Sequence, residues 1–197
     1  MPSAQEIKDW LKLELNPQEG GFLASVYNST ITVPDGVLKG FPHTAKGRSI
    51  CGAIYYFLEA PGCSVMHRVT GDMLYHFYAG DPVQMLLLHS DNSNGQHAPA
   101  EVCIFGNTLA LRERPMKAIP GGTWLGSRLT PGGSWALMGV SMAPGFDPVD
   151  YEIGDRDELV QQYPDQAERW LFGSFKQIAG IGDCASSEYP TVRYVPN

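Results

Sequence analysis

HRVTGDMLYHFYAG, residues 67 to 80, sets a histidine, an aspartate, two tyrosines and a second histidine in two short β-like runs that end at a glycine turn. Titratable groups interleaved with apolar ones in strands are what an acid/base pocket inside a small β-barrel requires. Working outward, SICGAIYYFL, CSVMHRV, MLYHFYA, PVQMLLLH, VCIFG, PMKAIP, TWLGSRL and SWALMGVSM all carry β-branched, aromatic or alternating apolar content. The segments between them, such as APG, TGD, AGDP, SDNSNGQ and TPGG, have turn chemistry. Eight short strands at this spacing predict an all-β sandwich or small barrel, because a βαβ fold would place a helix between most of them.

The flanks differ in character. Ile7, Trp10, Leu11 and Leu13 recur at near-helical spacing, so residues 4 to 14 are expected to form a short helix capped by Ser3. It should stop at Asn16-Pro17, since proline disfavours helix in the residue before it. GGFLASVYNSTITV reads as a strand or a bent pair, and the stretch from Val33 to Gly47 as a loop long enough to be a lid. After Pro144 an acidic loop leads to DRDELVQQYPDQAERWLF, one or two short helices broken at Pro164, and then to a tail with little periodicity. The expected division is an N-terminal helix over 1–16, a barrel over 17–150 and a helical segment with tail over 151–197.

Composition narrows the function. The 197 residues are 43% hydrophobic, enough for one good core. A formal charge of −7 offers no electrostatic footprint for nucleic acid or an anionic membrane. No window approaches the roughly 18 consecutive apolar residues of a membrane span, and the N-terminus lacks the basic and apolar regions of a signal peptide. The expectation is a cytoplasmic protein whose partner is a small molecule or a second copy of itself. Cys51, Cys63, Cys103 and Cys184 form no CxxC pair and read as reduced, mostly buried thiols.

In a regular strand alternate residues share a face. His67 would then lie with Val65 and Val69, and Met73, Tyr75 and Phe77 would share a face of the next strand. With both faces inward, His67 and Tyr75 make a general base and general acid facing each other in an apolar pocket; the alternative is a satisfied core histidine beside a packing tyrosine. His76 and Tyr78 fall on the opposite face. Asp72, at the turn, either orients a histidine or makes the turn, and a bulge at Gly71-Asp72 would change the facing. Glu19, in NPQEGG, is either a second acid/base group at the barrel mouth or a solvated turn residue. No HxH, HxxxH or Cys/His pairing is present, and His43, His89 and His97 lie in polar segments, so no metal site is expected.

LELNPQEGGF, AIYYFL, SVMHRVTGDMLYHFYAGDPV, IPGGTWL and GVSMAPGFDPVDYEI together resemble the cupin superfamily, and within it the cupin-5 proteins, from about Leu13 to Pro164. The resemblance implies a jelly-roll barrel with short terminal helices, a ligand inside it, and a homodimer. Many cupins hold a metal through two histidines and a glutamate in one motif and a third histidine in another. Laid on this chain, His67 matches the first histidine, Val69 the second, Met73 the glutamate and Leu125 the last ligand. Asp72-Met73 also stands where the family commonly has Asp-Glu, and Gln18 where it often has histidine. These departures favour a metal-free pocket without cofactor.

Metal-free cupins similar in fold include the deoxysugar-nucleotide 3,5-epimerases, in which a barrel histidine removes a proton beside a carbonyl and a tyrosine returns one. On that pattern His67 is the base, with Tyr75 or Tyr55 as the acid. A sugar nucleotide needs cations for its diphosphate, and Arg48, Arg68 and Arg128 are the few on offer. A pocket of Met73, Phe77, Trp124 and Leu125, with Tyr55, Arg68 and His76 as further substrate contacts, suits a less charged substrate. The expected function is an isomerase, epimerase or cyclase acting on a small carbonyl compound. The alternatives are a binder without turnover, and a metal-dependent lyase or oxygenase using unusual ligands such as His67, Asp72 and His76.

Overall fold

The computed structural model describes residues 2–89 and 100–164. The first helix, α1 (Ala4–Leu11), has the expected cap: Ser3 accepts from the Glu6 amide, and the Glu6 carboxylate reaches back to the Ser3 amide. It ends earlier than the periodicity suggests, because Lys12 takes a left-handed conformation at φ 54°. Leu13 therefore lies outside it, and the chain enters β1 (Glu14–Leu15) directly.

Along the chain there are then β2 (Phe22–Asn28), β3 (Thr32–Val33), β4 (Arg48–Ser49), β5 (Gly52–Glu59), β6 (Cys63–Val69), β7 (Met73–Gly80), β8 (Val83–Leu88) and β9 (Ala100–Phe105). After these come β10 (Met116–Ile119), β11 (Trp124–Leu129), β12 (Trp135–Met142), β13 (Tyr151–Ile153) and α2 (Arg156–Gln162). All eight strands expected from the central sequence are present. The tail beyond Pro164, and His97 and Cys184, lie outside the described residues.

The strands make a six-stranded sheet in the order β1-β2-β5-β12-β7-β10, a five-stranded sheet in the order β13-β6-β11-β8-β9, and the small β3-β4 pair. The two large sheets enclose one core, the arrangement of a jelly roll. Met73, Tyr75 and Phe77 of β7 point into it with Met85, Leu87 and Leu125 from the facing sheet. Their odd/even partners Leu86, Leu88 and Trp124 point the other way and are covered by Leu159 of α2. Period-2 alternation thus supplies two apolar layers from one sheet.

Segment 34–47, the expected lid, is the loop of the β3-β4 hairpin. Asp35 steadies it by accepting from the Thr44 amide at 2.9 Å and pairing with His43 Nδ1 at 2.7 Å. Cys51 and Cys103 are free thiols, and burial pushes that of Cys103 upward in pKa. Cys63 is disulfide-bonded, which corrects the reading of that residue as a reduced thiol. Among the described residues no helix is long and apolar enough to cross a membrane.

The turn between β1 and β2 carries a residue of the candidate site into the core. There the chain reverses through residues 16–21, with Gly20 at φ 93°, and a Cβ on Gly20 would lie 2.2 Å from the Cys63 carbonyl oxygen. Only glycine combines that φ with so close a backbone approach. Gly20→Ala is expected to cost at least about 1–3 kcal/mol from the backbone conformation alone, lowering Tm by several degrees in a thermal melt; an unchanged Tm would show that the turn is not held as described.

Candidate functional site

The centre of the site is an irregularity in β6. Leu125 of β11 sits opposite His67 and Ser127 opposite Ser64, so three steps along β6 match two along β11. The extra residue is a β-bulge, and it turns both Ser64 and His67 inward while Val65 joins the outer cluster with Trp124. The expected grouping of His67 with Val65 is therefore corrected; Val69 does face the core. The bulge lies within β6 rather than at Gly71-Asp72.

His67 is 2% exposed, and its Nδ1 lies 2.8 Å from the Val65 carbonyl oxygen. A carbonyl only accepts, so Nδ1 carries the proton and Nε2 is the basic nitrogen of the neutral ring. Nε2 is 3.7 Å from Glu19 Oε1.

Glu19 arrives on the turn at residues 16–21, and its backbone carbonyl accepts from the Val65 amide at 2.9 Å. Its carboxylate is buried but well supplied with donors. Ser64 Oγ donates to Oε1 at 2.7 Å, and Asn16 Nδ2 and Tyr151 Oη donate to Oε2 at 3.3 and 3.4 Å. Tyr151, from β13, also lies over the imidazole, with ring centroids 5.5 Å apart and planes 24° from parallel. Tyr56 completes the surroundings, its hydroxyl donating to the Gly20 carbonyl at 2.9 Å.

Three phenols, Tyr56, Tyr75 and Tyr151, are pushed up in pKa, first by desolvation and then by the negative charge of Glu19. A phenol held this firmly protonated is a hydrogen-bond donor more than a proton source. That modifies the role expected of Tyr75. The site thus contains a base, a carboxylate beside it and phenolic donors, at the rim where Tyr151, Leu23 and Ile54 are only partly buried.

The structure divides the residues singled out from sequence into two groups. His67, Glu19, Tyr75, Met73, Phe77 and Leu125 are on the inner side, with Tyr75 and Phe77 edge-on to Phe105. The others lie elsewhere. Tyr55 and His76 are on the outer face of the six-stranded sheet, each packed against Tyr78, because even positions of β5 and odd positions of β7 face inward. Trp124 belongs to the outer cluster. Arg68 lies 4.4 Å over the Trp124 ring and pairs with Glu152 at 2.6 Å. Asp72 is exposed and accepts from the Gly121 amide at 2.7 Å, bracing two turns against each other. Tyr55, His76, Arg68 and Trp124 are thereby corrected as substrate contacts, His76 lying on the face opposite Tyr75 as its parity implies, and Asp72 takes the turn-making alternative.

Tyr151, Tyr56, Ser64 and Asn16 are the site residues that sequence reasoning missed. Asn16 and Glu19, three apart in a Pro/Gly turn, carry a weak signal of a side-chain-braced turn.

The metal pattern of many cupins does not fit. Val69, Met73 and Leu125 are buried in the core, Val69 and Leu125 as hydrocarbon and Met73 as a thioether. His67 and Glu19 supply two donors where a catalytic metal usually takes three protein ligands. Among the described residues no group of three or more His, Cys, Asp or Glu side chains is placed to hold a metal ion.

The family model described as cupin superfamily (DUF985) matches residues 5–154. An X-ray structure of a Shewanella oneidensis protein is 26% identical, covering 90% of this chain and 98% of its own, with a TM-score of 0.72. A hypothetical protein from Leishmania major is 23% identical over 83% of this chain and 94% of its own, with a TM-score of 0.71. No curated protein matches the chain.

The buried phenols give a signature in alkaline solution. Below about pH 10 the phenols are protonated in both folded and unfolded chains and add no pH dependence. Above it the unfolded chain loses those protons while the native one keeps them. Native stability is then expected to fall by about 1.4 kcal/mol per pH unit for each such phenol. Urea unfolding between pH 9 and 11 checks this: Tyr75→Phe should flatten the decline, and an unchanged slope would place Tyr75 in water.

Proposed function

Because the chain belongs to the cupin superfamily, in the family described as DUF985, we propose that its jelly roll houses acid/base chemistry on a small, uncharged carbonyl compound, as an isomerase, epimerase or cyclase. The observation that carries this reading is the buried pair of His67 Nε2 and Glu19 Oε1, 3.7 Å apart, with Nδ1 committed to the Val65 carbonyl. Nε2 takes a proton from the carbon beside the carbonyl, and the C–H bonding pair moves into an enolate. The imidazolium formed is stabilised by Glu19 and returns the proton to carbon. Tyr75 and Tyr151 donate hydrogen bonds to the developing oxyanion, the role that their raised pKa values suit.

The electrostatics support an uncharged substrate. Among the described residues no Lys or Arg forms an ion pair with Glu19, whose ion-pair neighbour is His67. Arg48 is committed to Asp150, Arg68 to Glu152, and Arg128 contacts Gln84 at 3.2 Å on Nη2. Among the described residues a diphosphate or carboxylate would meet Glu19 with no Lys or Arg paired to it, which favours an uncharged substrate over a sugar nucleotide. The same reading involves no resident metal and keeps the homodimer as an expectation.

The test needs no foreknowledge of the substrate. The protein is incubated in D2O with a panel of small ketones, hydroxyketones and β-ketoesters, and loss of the proton next to the carbonyl is followed by NMR. Enzyme-dependent exchange is expected for at least one compound, reduced roughly 10²- to 10⁴-fold in His67→Ala and less severely in Glu19→Gln. A panel member that binds wild type and His67→Ala alike without exchange would instead make the protein a binder.

A further inference from the structure

Two segments far apart in sequence meet beside the site, residues 34–47 and 145–151, and a buried ion pair joins them. Arg48 Nη1 donates to Asp150 Oδ2, and both side chains are almost fully enclosed. Nη2 of the same guanidinium donates to the Pro42 carbonyl at 2.8 Å, and its carbon lies 5.1 Å over the Phe41 ring. Phe41 packs on the turn between β6 and β7: a Cβ on Gly71 would come 3.5 Å from its Cε1. Asp150 is the residue before Tyr151, the ring that covers His67 and donates to Glu19.

We infer that Arg48 and Asp150 form a latch that positions Tyr151 over His67 and couples that placement to the seating of residues 34–47. Arg48 holds both sides at once. The contacts of Asp35 with His43 and Thr44 stay inside the loop and fix its shape, not its attachment. On the other side Gly145 is tied to Ser49 by a backbone hydrogen bond of 2.8 Å, Asp147 caps the short turn at Pro148–Asp150, and the backbone of Tyr151 pairs with Val69 in the β13–β6 ladder, so the Asp150 carboxylate links this already ordered segment to the loop through Arg48.

Asp150 Oδ1 and Thr44 Oγ1 are buried with no hydrogen-bond partner among the described residues. Arg48 and Asp150 are positioning residues here, acting through Tyr151. The inference rests on the proposed role of His67 for its effect on turnover; the mechanical coupling can be measured without it.

The experiment uses the full chain labelled at histidine, with the His67 ring signals identified by their loss in His67→Gln. Tyr151→Ala gives the position of those signals without the stacked phenol. Two variants then act from opposite sides: Asp150→Asn on the ion pair, and Phe41→Ala on the loop, far from His67 in sequence and without contact to it. Trypsin cleavage at Lys39 and Lys46 reports on the seating of the loop. Both variants are expected to move the His67 signals toward their position in Tyr151→Ala and to raise cleavage severalfold.

A folded Phe41→Ala protein that is cut faster while its His67 signals stay in place would overturn the latch, as would one in which neither readout changes. Should Asp150→Asn fail to fold, Phe41→Ala decides alone, since it leaves the buried charges intact. Coupled signals in a protein that catalyses no proton exchange would keep the latch and refute the proposed chemistry. Exchange activity with uncoupled signals would do the reverse.

Discussion

The arrangement of the site depends on one peptide unit pair, at Val65. Its amide donates to the Glu19 carbonyl and its carbonyl accepts from His67 Nδ1. A regular β6 would spend those groups on ladder bonds and would turn the side chain of residue 64 or of residue 67 away from the core. The bulge releases them and brings Ser64 and His67 to one face. Each half of the proposed pair is thereby built on the same residue, the carboxylate through its turn and the imidazole through its ring. The separation of Nε2 from Oε1 is then a property of the backbone more than of flexible side chains, the kind of preorganisation that acid/base sites require.

This dependence explains which parts of the molecule were legible in the sequence. The strands were, because half-buried strands advertise themselves by alternation, and β7 displays it in Met73, Tyr75 and Phe77 against Leu74, His76 and Tyr78. The inward facing of Leu125 comes from the same rule. A bulge leaves no such trace: adding one residue to β6 inverts the facing of everything on one side of it, so Val65 was assigned to the wrong layer. Trp124 and Arg68 look like pocket residues by composition, but their odd/even position sends them outward, beneath α2 and toward Glu152. The parity of AIYYFL could not be settled locally, since Tyr55 and Tyr56 are chemically alike and only pairing with β2 and β12 puts Tyr56 inside. Tyr151 was hidden for a different reason. A three-residue strand has no periodicity to read, and β13 is recognisable only by its pairing with β6.

The buried charge is the remaining physical question. An ionised carboxylate removed from water is costly unless donors replace its hydration. Glu19 receives three neutral donors, from Ser64, Asn16 and Tyr151, and has the His67 imidazole within 3.7 Å. Among the described residues no Lys or Arg joins them. Three dipoles soften the cost of the charge without cancelling it, as a guanidinium would. The imidazole is the one nitrogen base among these neighbours, with Nε2 facing the carboxylate. A fold selected for stability alone would place an apolar side chain at position 19, because buried ionisable pairs are often no better than well-packed hydrocarbon. Keeping a carboxylate and an imidazole together there, on one irregular stretch of backbone, is what the proposed acid/base chemistry would use.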